Sequence, residues 1–201
     1  MLDLNKARGA VISVGGGRGF VIEGPDDRLI ITAAHCLPAM PPAIPSSYTE
    51  ERTYEGLLSP LGAAERPVWA ECLFVDPVSD LAILGPPDGQ ELPEPFDAYL
   101  SLVDSCHTVE VGTCDPEDDV WLLSLDGEWH PCGAKHVGGG VWFHGADHGI
   151  HGGMSGSPAI NRDGQAVAVV SVSSSADHHT SGGPNPNLAV HLPGWAIQLV
   201  A

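Results

Sequence analysis

Apolar residues along the chain fall in short runs broken by turn signals. Ala10 to Val14, Phe20 to Glu23 and Leu29 to Ala34 are rich in Val, Ile and Phe, and Gly15-Gly16-Gly17 and Gly24-Pro25-Asp26-Asp27 separate them at hairpin spacing. Val68 to Asp76 and Leu81 to Leu84 predict two more strands around a turn at Pro77. Between these groups, Leu37 to Pro67 carries Pro38, Pro41, Pro42 and Pro45 and predicts a long surface loop with at most one helical turn. Pro86 to Phe96, rich in proline and acid, predicts a linker or crossover. Beyond it Thr108 to Thr113, Val120 to Leu125, Glu128 to Pro131, Val141 to His144, Gln165 to Val172 and Leu188 to His191 again predict short strands. No helical period of any length stands out. With roughly six strands on each side of the linker, the pattern predicts an all-β chain of two packed antiparallel barrels. The N-terminal lobe is expected at about 8–95 and the C-terminal lobe at about 104–198.

Composition narrows the partners. The 201 residues carry a formal charge of −18, with only 8 Lys and Arg against 26 Asp and Glu. So few cations can hardly build a phosphate-binding face, which argues against nucleic acid and against an anionic membrane surface. The apolar fraction of 43% supports a real core despite the charge. No run approaches the roughly 20 apolar residues of a membrane span. Met1 to Arg8 contains nothing like a secretion signal. Five cysteines, Cys36, Cys72, Cys106, Cys114 and Cys132, cannot all pair and form no C-x-x-C. The expectation is a reduced, cytoplasmic setting.

Three motifs, in chain order, could supply a base, an orienting carboxylate and a nucleophile. Thr32-Ala33-Ala34-His35-Cys36 is an apolar strand stopping at a histidine, and Ser79-Asp80-Leu81-Ala82-Ile83-Leu84 sets an aspartate at the mouth of another strand. Gly152-Gly153-Met154-Ser155-Gly156-Ser157-Pro158 puts a serine in a glycine-rich turn. A serine hydroxyl becomes a useful nucleophile when an imidazole takes its proton during attack, and the imidazole is oriented by a buried carboxylate. Asp76 competes with Asp80, and Ser157 with Ser155. The run Asp-Leu-Ala-Ile-Leu favours Asp80, and glycine at both −2 and +1 favours Ser155.

Together these motifs resemble the trypsin-like serine protease superfamily, in particular its compact bacterial domains. The resemblance runs from Gly19-Phe20-Val21-Ile22 to about Trp195. It implies a serine endopeptidase that acts on protein or peptide substrates from the cleft between two barrels. The implied triad is His35, Asp80 and Ser155, the N–H groups of Gly153 and Ser155 form an oxyanion hole, and no cofactor or metal is needed. By position, His148, Gly149, Ile150 and His151 would form the base and walls of the specificity pocket, with a second wall from Ser171, Val172 and Ser173. Gly149 at the pocket base and Ile150 lean toward an apolar side chain.

Two departures stand out. Met154 occupies the place where secreted trypsins have an aspartate that captures a newly cut N-terminus, so activation by such cleavage is not implied. Cys36 stands where secreted relatives form a disulfide, and no cysteine within the next thirty residues could close that loop. A protease without a secretion signal requires restraint, so a regulatory partner is expected. Eight of ten histidines lie in the second lobe, His130, His136, His144, His148, His151, His178, His179 and His191. They could hold a metal, line the pocket, or simply be solvated in loops; no pair has the spacing of a helical zinc site. The rival readings are a catalytically silent peptide-binding module and an esterase-like acyl hydrolase.

Overall fold

The computed structural model describes residues 2–44, 46, 48–171, 174–176 and 179–197. Six strands form a closed antiparallel barrel: β1 (Val11–Val14), β2 (Gly17–Glu23), β3 (Arg28–Thr32), β4 (Thr53–Pro60), β5 (Val68–Asp76) and β6 (Leu81–Gly85). Their order around the barrel is β1-β2-β3-β6-β5-β4. Strand β2 is buried along nearly its whole length, as is β3, because one face fills the barrel and the other packs beneath neighbouring segments. Phe20, Ile12, Ile22, Ile30, Ile31, Leu58 and Leu84 are essentially inaccessible. Closure leaves no free edge on this unit.

The second unit is a seven-stranded sheet that curls into a half-barrel. Its strands are β7 (Glu117–Leu123), β8 (Trp129–Val137), β9 (Gly140–His144), β10 (Pro158–Ile160), β11 (Ala166–Val169), β12 (Ser174–Ala176) and β13 (His179–Pro186). They run in the order β11-β10-β7-β8-β9-β13-β12. Val120, Ala134, Val141, Phe143, Ala159, Val167 and Val170 build a second core under this sheet.

Helices are few and short. α1 (Leu4–Gly9) precedes the barrel and is capped by the Asp3 carboxylate, which accepts from the Asn5 and Lys6 N–H groups. α2 (Tyr48–Arg52) leads into β4, α3 (Pro93–Asp104) joins the two units, and α4 (Leu188–His191) follows β13.

Several expectations need correction. The Leu37–Pro67 stretch contains β4, which pairs with both β1 and β5 and completes the barrel. Pro86–Phe96 is not linker throughout, because Pro93 opens α3. Proline is suited to a first helical turn, and burial of Tyr99, Leu102 and Val103 gives that helix its inward face. Leu188 to His191 is helical rather than extended, and Thr108 to Thr113 contributes only an isolated bridge at Val111.

Candidate active site

Strand β3 ends at Thr32, and the buried Ala33 and Ala34 lead into a single 3-10 turn, Ala34–Cys36, that carries His35. The turn between β5 and β6 sets Asp80 against it. Asp80 has φ +58°, which no other described non-glycine residue shares in sign. Aspartate tolerates the left-handed region better than most side chains, and such conformations concentrate at functional sites. From it, Asp80 engages the 34–35 segment three times. Its carbonyl accepts from the Ala34 N–H at 3.2 Å, and Oδ1 accepts from the His35 N–H at 2.8 Å. Oδ2 lies 2.6 Å from Nδ1 of His35. The imidazole is about half exposed (49%) while the carboxylate is mostly covered (23%), so the ring's other edge remains reachable.

The same Oδ2 accepts a hydrogen bond from the Ser171 hydroxyl. Ser171 is held in turn by Asn185, whose buried Oδ1 accepts the Ser171 N–H at 2.8 Å. Asn185 also donates to the carbonyls of Val141 and Gly182. The second unit therefore braces a carboxylate that belongs to the first.

Asp76 does a different job. Its Oδ1 accepts from the N–H groups of Val78 and Ser79, and its Oδ2 accepts from the Ser79 hydroxyl. These bonds, that of the Ser79 hydroxyl above all, hold its carboxyl below the ordinary aspartate range. Asp76 ties down the turn that presents Asp80.

Ser155 sits in a tight turn preceding β10. The Met154 N–H donates to the His151 carbonyl, the Ser157 N–H to Met154, and the Gly156 N–H to Val170. The Ser155 carbonyl accepts from the Arg18 N–H on β2 at 2.7 Å, and the Cys36 sulfur, beside His35, lies 3.7 Å from it. Gly156 is required where it stands. Its φ is +85°, and a β-carbon there would lie 1.7 Å from the Arg18 carbonyl oxygen. Gly153, two residues earlier, is also left-handed at φ +93°. Among the described residues, the N–H groups of Gly153 and Ser155 donate to no backbone carbonyl. Among the described residues, the hydrogen bond of the His35 ring is to Asp80, and the Ser155 hydroxyl makes none. Ser157, the competing serine, is fully buried, whereas Ser155 is partly accessible.

Met154 is 1% exposed and plugs the second core, and its sulfur accepts from the His151 N–H at 3.3 Å. The preceding segment is mixed. Ile150 turns its side chain into that core, His148 stacks on His130 at 3.6 Å, and the His151 ring reaches the His148 carbonyl. Gly149 is left-handed and partly exposed. Val172, Ser173 and His178 lie outside the described residues. All five cysteines are free, and burial pushes the Cys36 thiol up in pKa, away from a reactive thiolate.

Two antiparallel β-units joined over an aspartate–histidine pair and a serine turn define the class, a trypsin-like fold. The chain belongs to the trypsin-like peptidase domain family, whose model matches residues 17–169. Solved structures of the same fold include the inactive form of the Rv3671c protease of M. tuberculosis, at 19% identity and TM-score 0.53, covering 93% of this chain and 87% of that one. A human pathogenic astrovirus serine protease has 15% identity and TM-score 0.54, covering 96% of each chain. The MamO protease domain from Magnetospirillum magneticum has 15% identity and TM-score 0.53, covering 95% of this chain and all of that one. No curated protein sequence matches the chain. Among the described residues no helix is long and apolar enough to cross a membrane.

Proposed function

We propose that the protein is a serine endopeptidase working through an acyl-enzyme on Ser155. The single observation that carries this reading is the fixed Asp80–His35 pair facing a serine turn with two amides that donate to no backbone carbonyl. In the reaction, the Ser155 Oγ attacks the scissile carbonyl as Nε2 of His35 takes the hydroxyl proton. Asp80 holds the Nδ1–H and stabilises the imidazolium that forms. The Gly153 and Ser155 N–H groups receive the developing oxyanion, a contribution of about 10²–10³ in turnover per donor. His35 then returns the proton to the leaving amine, and a water activated by the same imidazole releases the acid.

The reading includes regulation by a partner, and the Ser155–His35 hydrogen bond forms as substrate binds. Hydrogen bonds of this kind often tighten only in the substrate complex. Met154, buried where an ion pair to a new N-terminus would be needed, supports activation without N-terminal cleavage. Five unpaired thiols support residence in a reducing compartment, the cytoplasm.

A peptide library tests the reading. Cleavage at defined bonds by the native chain, lost in both Ser155→Ala and His35→Ala, is expected. Hydrolysis of small esters with no peptide cleaved would replace the endopeptidase with an acyl hydrolase.

A further inference from the structure

The chain's six arginines fall into two groups. Arg28 pairs with Glu23 and Asp104, Arg162 pairs with Asp119, and Arg52 donates to the carbonyls of Cys72 and Leu73. Among the described residues, Arg8, Arg18 and Arg66 have no carboxylate within ion-pair distance, and all three line one cleft of about 710 Å³. In a chain of net charge −18, this gathers half of the arginines in one place.

The place is next to the serine turn. The cleft is lined by Gly153 and by Gly16 and Gly17 of the β1–β2 hairpin. The N–H of Arg18, a lining residue, is bonded to the carbonyl of Ser155 itself, so the cleft adjoins the nucleophile. Ser171, bonded to Asp80, is not part of the cleft lining.

The arginines differ in availability. Arg18 is buried, and its guanidinium donates to the carbonyls of Leu123 at 2.8 Å and Ser124 at 3.0 Å. Arg8, on α1, is exposed and packs over Gly127, close enough for its charge to act on Arg18. Arg66 has a buried Nε without a hydrogen-bond partner. One acid, Asp126, also lines the cleft; its carboxylate accepts from the Ser124 hydroxyl and the Glu128 N–H, and its charge acts on Arg18, so it offsets part of the positive cluster and leaves the rest to a ligand. Gathering like charges is unfavourable unless an anion neutralises them, and an orphaned buried donor costs free energy of its own.

Resting on the endopeptidase reading, we propose that this arginine cleft selects substrates with Asp or Glu within about three residues after the scissile bond. A substrate whose acyl half lies along Ser171 must send its leaving half over Gly153 toward the hairpin, and so into the cleft. Extended peptide advances about 3.3 Å per residue, which carries the first three leaving-side positions across it.

The test uses pairs of fluorescent peptides that differ only in Glu against Gln at those positions. Binding is measured by anisotropy on Ser155→Ala protein, and kcat/KM on the native enzyme. The expected result is roughly tenfold tighter binding and faster turnover for the Glu member, fading in 0.5 M salt. In Arg8→Gln and Arg66→Gln backgrounds the Glu-to-Gln ratio falls toward one. Arg162→Gln, an equal charge change elsewhere, leaves the ratio in place. Equal binding of both members to the native-charge protein overturns the proposal, whether or not peptides are cleaved. Charge-selective binding lost in Arg8→Gln, with no cleavage of any peptide, keeps the cleft and removes the endopeptidase reading.

Discussion

The two β-units divide the site unequally. The first is a closed barrel that holds His35 and Asp80 by three hydrogen bonds between adjacent loops. The second is a curled sheet that presents Ser155 on a turn. Among the described residues only Gly15, Gly56 and Gly62 of the first unit are left-handed glycines, against nine from Gly127 onward. The acid–base pair is thus fixed by hydrogen bonds between loops of the barrel, while the nucleophile sits on a glycine-rich turn of the other unit. What keeps them in register is a small set of crossing bonds: the Arg18 N–H to the Ser155 carbonyl, its guanidinium to the end of β7, and the Ser171 hydroxyl to Asp80. The lesson is that preorganisation need not be uniform across a site, only sufficient at the groups whose orientation the reaction cannot itself supply.

The largest effect is expected at the acid–base pair. Asp80→Asn keeps a similar shape but leaves the imidazole in the wrong tautomer. It is expected to lower kcat by about 10⁴ with little loss of stability; a change under tenfold would mean the barrel does not preset the base. At the joint, Gly156→Ala forces a β-carbon against Arg18 and is expected to cost about 3 kcal/mol or more in urea unfolding. Gly164, similarly left-handed at φ +83° but facing open space, is the contrast: alanine there is expected to cost only about 1 kcal/mol.

The brace from the second unit is a smaller effect. Ser171→Ala removes one donor to Asp80 and is expected to lower kcat about tenfold while KM stays within about twofold. The smallest effect lies in the turn under Asp80. Asp76 is depressed in the folded state, so its contribution is complete above the ordinary aspartate range and is lost as pH falls through its lowered value. Asp76→Asn should therefore flatten the acid side of the stability–pH curve and leave the neutral side parallel to the native one.

How legible each part was follows from the range of the interactions that made it. The strands Val11–Val14, Gly17–Glu23, Arg28–Thr32, Val68–Asp76 and Leu81–Gly85 stand out because runs of Val, Ile and Leu are bounded by Gly, Pro and Asp. Strand β4 does not, since Thr-Tyr-Glu-Gly-Leu-Leu-Ser-Pro looks like loop until the barrel supplies partners on both sides. Leu-Ala-Val-His at 188–191 is short enough to fit strand or helix, and the fold decides. The choice of Asp80 over Asp76 rested on the apolar run that follows it, whereas the hydrogen bonds that separate their roles are spatial. Ser171 was legible only as part of a substrate-facing strand. Its bond to Asp80 spans 91 positions and leaves no local mark. The arginine cleft is similarly hidden, because Arg8, Arg18 and Arg66 come from three separate segments.

Covalent trapping asks whether the Asp80–His35 pair activates Ser155. Native protein is treated with a fluorophosphonate, digested and mapped by mass spectrometry. A single adduct on Ser155 is expected, slowed by orders of magnitude in His35→Ala and absent from Ser157. An adduct elsewhere, or equal labelling of the native and His35→Ala proteins, would contradict it.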